Sequence, residues 1–134
     1  MNRRLALWAV AAVGLASGCE NRYEALTAPP PGMVASLDDG KKAIRVTEGV
    51  SLAFECFQGS NDKDACGREV STGGQDIALI FPADLDSLNQ IGSYREGPQP
   101  RSVFVVVGIA PGHTSIGAGG GSLDVTVLAT EPSR

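Results

Sequence analysis

The most regular hydrophobic pattern of the chain lies near its C-terminal end. Between Arg101 and Ala129, three runs rich in Val, Ile, Leu and Thr are separated by Ala110-Pro111-Gly112 and by a glycine-rich stretch at 117–122. Short apolar runs divided by Gly and Pro are typical of consecutive β-strands joined by turns. This part of the chain therefore predicts three strands, with a hairpin turn at the glycine-rich stretch.

Shorter apolar runs upstream predict the remaining strands. Runs 33–37 and 43–46 flank a turn sequence, and run 50–57 alternates apolar and polar positions. Run 76–81 should end at Pro82, because proline cannot donate to a β-ladder. The 17 glycines and 8 prolines also fit a turn-rich β chain. About seven short strands with regular turns predict an all-β sandwich.

The run at 103–107 is apolar at every position, although sandwich strands usually face water on one side. Alternation along a strand separates Phe104 and Val106 from the residues of the opposite face. That opposite face carries three valines: Val103, Val105 and Val107. They predict either a face covered by another segment of the chain or an exposed patch that binds a partner.

The segment at 85–91 is the candidate cover. Leu85, Leu88 and Ile91 stand at three-residue intervals, a spacing that fits a short helix and also an irregular strand. Both interpretations remain open at this stage.

The N-terminal residues have the composition of an export signal. Arg3 and Arg4 precede a stretch from Leu5 to Leu15 without charged side chains, the order found in secretory signal peptides. A helix of that length spans about 17 Å at about 1.5 Å per residue, against about 30 Å for the hydrocarbon core of a bilayer. The segment is therefore predicted to direct export and not to span the membrane.

Cys19 follows three small residues at 16–18. In these residues the chain resembles bacterial lipoproteins, whose lipobox cysteine becomes the mature N-terminus and carries acyl chains. The resemblance implies a signal peptide at 1–18 and a lipid anchor on Cys19, and Glu20 in the next position implies sorting to the outer membrane. The same small residues also suit ordinary signal peptidase, which would release a secreted protein.

The residues after Cys19 predict a tether. Positions 21–32 have no periodicity and end in Ala28-Pro29-Pro30-Pro31-Gly32, which favours extended polyproline geometry. We expect a disordered tether at 19–32 and a single domain at 33–130, held close to the membrane.

Three cysteines form an odd count, which leaves one thiol unexplained in an exported protein. Acylation of Cys19 accounts for one of them, and the polar loop at 57–65 allows Cys56 and Cys66 to meet. We therefore expect a Cys56–Cys66 disulfide, as an oxidising envelope favours. Closing a loop of this size should contribute about 2–3 kcal/mol to stability.

The same loop carries clustered oxygen ligands at Asn61, Asp62 and Asp64, which raises the alternative of a calcium site. In an EF-hand-like register, however, Cys66 and Gly73 stand where further oxygen ligands are needed. A solvated hairpin tip is the preferred interpretation, and no metal site is predicted.

The stretch Gly108-Ile109-Ala110-Pro111-Gly112 is followed by Thr114 and Ile116, and then by a closing strand with Val125 and Val127. These residues resemble the last strands of bacterial immunoglobulin-like domains of the group 2 type, which carry a Gly-x-Ala-x-Gly turn. The resemblance implies an immunoglobulin-like β-sandwich. Together with the lipobox-like Cys19 and the short tether, it leads us to expect a structural or protein-interaction role.

Charge and the absence of catalytic patterns limit the function further. Without residues 1–18, nine Lys and Arg oppose fifteen Asp and Glu, a net charge of −6, which disfavours nucleic acid as a partner. His113 is the only histidine; a multi-histidine metal site is excluded, and the residue is expected in a solvent-facing turn. The sequence predicts no enzyme and no cofactor.

The expected partners are the membrane, through the lipid anchor, and an envelope protein, while a small-molecule ligand is not expected. Two alternatives stay open. One is an accessory subunit of an envelope complex. The other is a polysaccharide-binding module, whose aromatic platforms would come from Tyr23, Tyr94 and the phenylalanines.

Overall fold

The computed structural model describes residues 20–59, 65–84 and 101–132, and most of them belong to β-strands. The strands in these ranges are β1 (Asn21–Ala25), β2 (Ala35–Asp38), β3 (Ala43–Thr47), β4 (Ser51–Gln58), β5 (Val70–Thr72), β6 (Ala78–Ala83), β7 (Ser102–Gly108), β8 (Gly112–Ala118) and β9 (Gly121–Leu128). The same ranges contain no helix, and so none that is long and apolar enough to cross a membrane. The all-β prediction is confirmed.

The strands form two sheets. The four-stranded sheet has the order β1-β4-β7-β6, with antiparallel pairs throughout. The five-stranded sheet has the order β2-β3-β9-β8-β5 and is antiparallel except for the parallel pair β3 and β9. The turn between β7 and β8 carries the chain from one sheet to the other.

Side chains from both sheets form one hydrophobic core. Phe54 and Phe104 of the four-stranded sheet are fully buried, as is Ile44 of the five-stranded sheet. The ring centroids of Phe54 and Phe104 lie 5.7 Å apart, and Tyr23 meets Phe54 edge-on at 5.9 Å, distances that aromatic pairs favour. Two sheets that share a core between their inner faces have the arrangement of a β-sandwich.

Strand β1 corrects the expectation of a disordered tether up to residue 32. Residues 21–25 pair with β4, from Asn21 opposite Gln58 to Ala25 opposite Phe54. Tyr23 is only 4% exposed, and its hydroxyl donates a hydrogen bond of 2.9 Å to the Ala118 carbonyl. The sequence pattern does not reveal this strand because Tyr23 is its one buried side chain. Residues 26–34 alone separate β1 from β2.

The hydrophobic pattern also gives no sign of β5, which pairs with β8 from Val70 to Thr72. Strand β6 continues through Pro82 to Ala83 instead of ending at Phe81. This is possible because β6 is the edge strand of its sheet, where proline is tolerated.

The hydrogen bonds of Gly108 show which side of β6 is free. The Gly49 amide donates to the Gly108 carbonyl at 2.9 Å, and the Gly108 amide donates to the Val50 carbonyl at 3.1 Å. Both backbone groups of Gly108 thus face β4, and alternation turns Val107 toward β6. In the observed register Pro82 then lies on the free side of β6, where its missing N–H removes no ladder bond.

The glycine-rich stretch forms the expected hairpin turn between β8 and β9. Gly119 and Gly120 have φ values of 63° and 88°, which two-residue hairpin turns of this kind require. Gly119 also packs against the disulfide: a Cβ there would lie 2.6 Å from Cys66 Cβ and 3.3 Å from Cys56 Sγ. The structure contains the predicted disulfide, with 5.6 Å between the two Cα atoms.

Candidate functional site

Apolar side chains of three adjacent strands, β4, β7 and β6, form one part of the outer surface of the four-stranded sheet. On β7, Phe104 and Val106 are fully buried in the core, so the alternate valines point outward. The register places residues of β4 and β6 beside these valines. We call this surface the apolar face; it consists of Ala53, Leu79, Phe81, Val103, Val105 and Val107.

Exposure varies across the apolar face. The Phe81 side chain is 50% exposed, whereas Leu79, Val105 and Val107 are half-buried. Val103 is 3% exposed, although it does not belong to the core cluster. The apolar face is therefore most open along β6 and around Val107, and it is most enclosed around Val103.

A charged pair closes the enclosed end of the apolar face. Glu55 lies opposite Val103 on β4 and is 5% exposed. The Arg101 Nε donates to both carboxylate oxygens, at 2.9 and 3.1 Å, and its Nη2 donates to Oε1. Hydrogen bonds from its guanidinium to Glu55 raise the pKa of Arg101 above its ordinary value. The pair satisfies the buried carboxylate and separates the apolar face from Phe57, the next outward residue of β4, over whose ring the Arg22 guanidinium lies.

The outer surface of the five-stranded sheet has the opposite character. Its outward residues on β8 and β9 are mainly polar: His113, Ser115, Ser122, Asp124 and Thr126. His113 is exposed, as expected, but it lies in β8 and not in a turn, and its Nδ1 lies 2.9 Å from Thr126 Oγ1. The two sheets thus share one core but present an apolar and a polar surface to the outside.

A shallow depression of about 550 Å³ lies beside β5 on the polar side of the sandwich. Its lining includes Ser71, Thr72, Ser115 and Ser122, with Glu69 as its charged group. Within residues 20–59, 65–84 and 101–132, no three His, Cys, Asp or Glu side chains lie close enough to hold a metal ion. Hydroxyl groups on an open surface offer hydrogen bonds but no nucleophile with a base.

The free edge of β1 is covered by a turn of the other sheet. The Tyr23 amide donates to Asp39 Oδ1 at 2.8 Å, and Lys42 Nζ donates to the Asn21 carbonyl at 2.8 Å and to Asp39 Oδ1 at 2.6 Å. Burial alone would raise the pKa of Asp39, but hydrogen bonds from Lys42 and the Tyr23 amide outweigh it and lower that pKa. Both edges of this sheet are thereby protected from strand addition, β1 by this pair and β6 by Pro82.

Several predicted residues lie outside the part of the chain that the structure describes. They are the lipidation residue Cys19, the calcium-site candidates Asn61, Asp62 and Asp64, the cover candidates Leu85, Leu88 and Ile91, and the platform candidate Tyr94.

Among the described residues, Cys56 and Cys66 are joined as predicted, and Val103, Val105 and Val107 share one outward face. Sequence reasoning missed Leu79 and Phe81 as members of that face. Run 77–81 carries a signal for them, because it is apolar at every position, as is run 103–107.

Comparisons with known proteins give few matches. No protein-family model and no curated protein matches the chain. Among solved structures, the chain is similar to the S-layer protein rSbsC(31–844), at 18% identity and a TM-score of 0.47 over 80% of the chain, and to surface layer protein SbsC, domains 1–6, at 17% and 0.44 over 78%. The chain spans 14% of the length of each of these two chains. The functional assignment therefore depends on the geometry of the chain itself.

Proposed function

We propose that this chain is a lipoprotein of the bacterial cell envelope, exported by a signal peptide at 1–18 and anchored to the outer membrane through acylated Cys19. Its single β-sandwich, of the immunoglobulin-like kind, acts as a non-catalytic module that binds an envelope protein. The apolar face is the observation that carries this proposal.

The immunoglobulin-like assignment is supported by the closing strands. The stretch 108–112 is the connection that leads from β7 in one sheet to β8 in the other. Ile116, Val125 and Val127 of the resemblance are buried in the core between the sheets. The residues that suggested the family thus perform the packing that a closing hairpin of a sandwich requires.

The apolar face supports a protein partner because of its chemistry and its place. An apolar surface that is open to solvent is unfavourable unless another surface covers it. A half-exposed aromatic residue such as Phe81, bordered by half-buried aliphatic side chains, is typical of the centre of protein interfaces. Since both sheet edges are protected, the partner binds across the face and not by adding a strand.

A polysaccharide-binding function is less well supported. Tyr23 is buried, and its hydroxyl is engaged by the Ala118 carbonyl, so it offers no platform for a sugar ring. Phe54 and Phe104 are core residues. Phe57 is half-buried, and the Arg22 guanidinium lies over its ring at 5.6 Å from the centroid. Phe81 is 50% exposed, and it lies among aliphatic side chains that cannot hydrogen-bond a sugar.

Site-specific photo-crosslinking in intact cells tests the binding role. A photoreactive residue in place of Phe81 should give one discrete crosslinked product with an envelope protein. The same residue in place of Ser115, exposed on the polar surface, is the matched control and should give none. Equal products at both positions, or none at either, would contradict the assignment.

A stability measurement distinguishes a partner from cover by the chain's own residues. If a partner covers the apolar face, Val105→Asp should cost the isolated protein only about 1 kcal/mol, because a half-exposed carboxylate keeps much of its hydration. If the face is instead covered within the chain, the same change buries a charge and should cost about 3 kcal/mol or more. Urea unfolding followed by far-UV circular dichroism measures the difference.

A further inference from the structure

The fold leaves almost no free chain between the proposed anchor and the sandwich. Strand β1 begins at Asn21, and the Gly59 amide already donates to the Glu20 carbonyl at 3.3 Å. Cys19 is joined directly to Glu20, so their Cα atoms lie about 3.8 Å apart. An acylated Cys19 would therefore hold this end of the domain at the lipid headgroups, without a spacer.

The start of β1 is also fixed laterally to two other parts of the fold. The Asn21 side-chain amide donates to the Gly119 carbonyl in the β8–β9 turn at 2.9 Å. Lys42, in the β2–β3 turn, donates to the Asn21 carbonyl at 2.8 Å. Tyr23 then enters the core. A strand held by both sheets cannot act as a hinge without breaking these contacts.

We propose that one end of the sandwich is a membrane-contacting surface that fixes the orientation of the domain on the bilayer. This surface, the anchor end, comprises Glu20, Gln58, Gly120 and the turn at 38–42. It rests on the proposed lipidation of Cys19 and specifies how the anchored module is presented. The strands run away from the bilayer, so Ser51, at the other end of β4, lies about 24 Å further out at about 3.4 Å per residue.

The charges of the anchor end indicate that the acyl chains, and not anionic lipids, drive this contact. Exposed Lys41 and half-buried Lys42 stand beside Asp38 and Asp39, and Lys42 is paired with Asp39 at 2.6 Å. Exposed Glu20 adds a further negative charge. A basic cluster of the kind that binds anionic headgroups is absent from the described part of this surface.

Single tryptophans test the orientation. The chain has one tryptophan, Trp8, in the proposed signal peptide, so the processed protein has no tryptophan fluorescence of its own. Gln58→Trp reports the anchor end and Ser51→Trp is its matched control, because both positions are exposed and lie in β4. The purified lipidated variants are placed in vesicles of phosphatidylethanolamine and phosphatidylglycerol that contain a lipid with a nitroxide on its headgroup.

The Gln58→Trp protein should be quenched several-fold more strongly than the Ser51→Trp protein, with unchanged circular dichroism in both. Equal quenching would overturn the proposal, since it means that the domain swings freely. Inserting a Gly-Ser linker between Glu20 and Asn21 should abolish the difference. If the difference persists, the domain binds headgroups by itself and the short connection does not set its orientation.

Intact mass separates failure of this proposal from failure of the proposed function. An acyl adduct on Cys19 combined with equal quenching refutes the fixed orientation and leaves the anchored module intact. A processed protein without an adduct, which stays in solution when vesicles are sedimented, refutes the lipid anchor and the fixed orientation together.

Discussion

The contact between Tyr23 and Gly121 gives the sharpest test of the claim that β1 belongs to the fold. Gly121 lies in β9, and a Cβ there would meet the Tyr23 hydroxyl at 2.1 Å, with Asn21 Nδ2 at 3.1 Å and Tyr23 Cζ at 3.3 Å. Gly121→Ala must therefore displace the Tyr23 ring. Overpacking of this kind costs about 1–3 kcal/mol, partly offset by the roughly 0.5–1 kcal/mol that Ala gains over Gly in a strand.

Removing the Tyr23 hydroxyl changes the contacts that the added methyl group of Gly121→Ala makes. Tyr23→Phe alone should cost about 1–3 kcal/mol, because the buried Ala118 carbonyl loses its donor. With the oxygen absent, the added methyl group has its nearest neighbours at 3.1 and 3.3 Å, which small shifts can relieve. Gly121→Ala should then cost little, and the two changes should couple by about 1–2 kcal/mol.

Urea unfolding of the four proteins, followed by far-UV circular dichroism, measures this coupling. The double variant should be about as stable as Tyr23→Phe alone. Additive losses would mean that Tyr23 does not lie over Gly121, and that β1 is not fixed as the structure has it. Ile80→Val, a change in the same core on β6, which β4 and β7 separate from β1, is the control and should not couple to Gly121→Ala.

Three further predictions follow from other contacts. The lowered pKa of Asp39 means that its stabilisation is full above the ordinary carboxyl value of 3.8 and is lost as the pH falls through the folded value. Asp39→Asn should therefore weaken the pH dependence of the unfolding midpoint below about pH 4, and an unchanged slope would count against the Lys42 contact. Replacing Cys56 and Cys66 together by Ser should cost about 2–3 kcal/mol in urea unfolding, and a loss below about 0.5 kcal/mol would show that the loop closure matters little. Arg101→Ala should cost about 1–3 kcal/mol, because the Glu55 carboxylate stays buried without its donors; adding Glu55→Gln should restore part of that loss, which a purely steric role of Arg101 does not predict.

The strands that could be predicted are those whose side chains repeat. Run 50–57 places Leu52, Phe54 and Cys56 on one side at a period of two, and β4 occupies Ser51–Gln58. The hairpin at 117–122 was accessible for a different reason, since consecutive glycines permit the positive φ values of its turn. Local chemistry is sufficient in both cases.

Strands that depend on distant partners could not be predicted in this way. β1 is held by one core side chain and by contacts to residues 95 and 98 positions away along the chain. β5 has three residues, none of them fully buried, and exists because β8 pairs with it. Pro82 is compatible with β6 only because the strand lies at a sheet edge, a property that a single sequence does not encode locally.

The candidate site shows the same division. Alternation alone separates Val103, Val105 and Val107 from the core positions of β7. The extension of their surface to Leu79 and Phe81 required the pairing of β6 with β7 in its actual register. A one-residue shift of that register would have turned Leu79 and Phe81 inward and put Ile80 and Pro82 in their place on the apolar face.

The anchor end and the apolar face together set how a partner can approach. The strands that carry the face, β4, β6 and β7, all run between the anchor end and the opposite end of the sandwich. If the anchor end rests on the bilayer, the apolar face lies on the side of the domain, roughly perpendicular to the membrane surface. It is then directed neither toward the lipid nor away from it. A partner that covers Phe81 then lies next to the domain at the membrane surface. Inserting the Gly-Ser linker after Glu20 lets the domain swing, so that it presents the apolar face in many directions. The crosslink at position 81 should therefore become weaker when the partner is itself membrane-bound. It should stay unchanged when the partner is soluble.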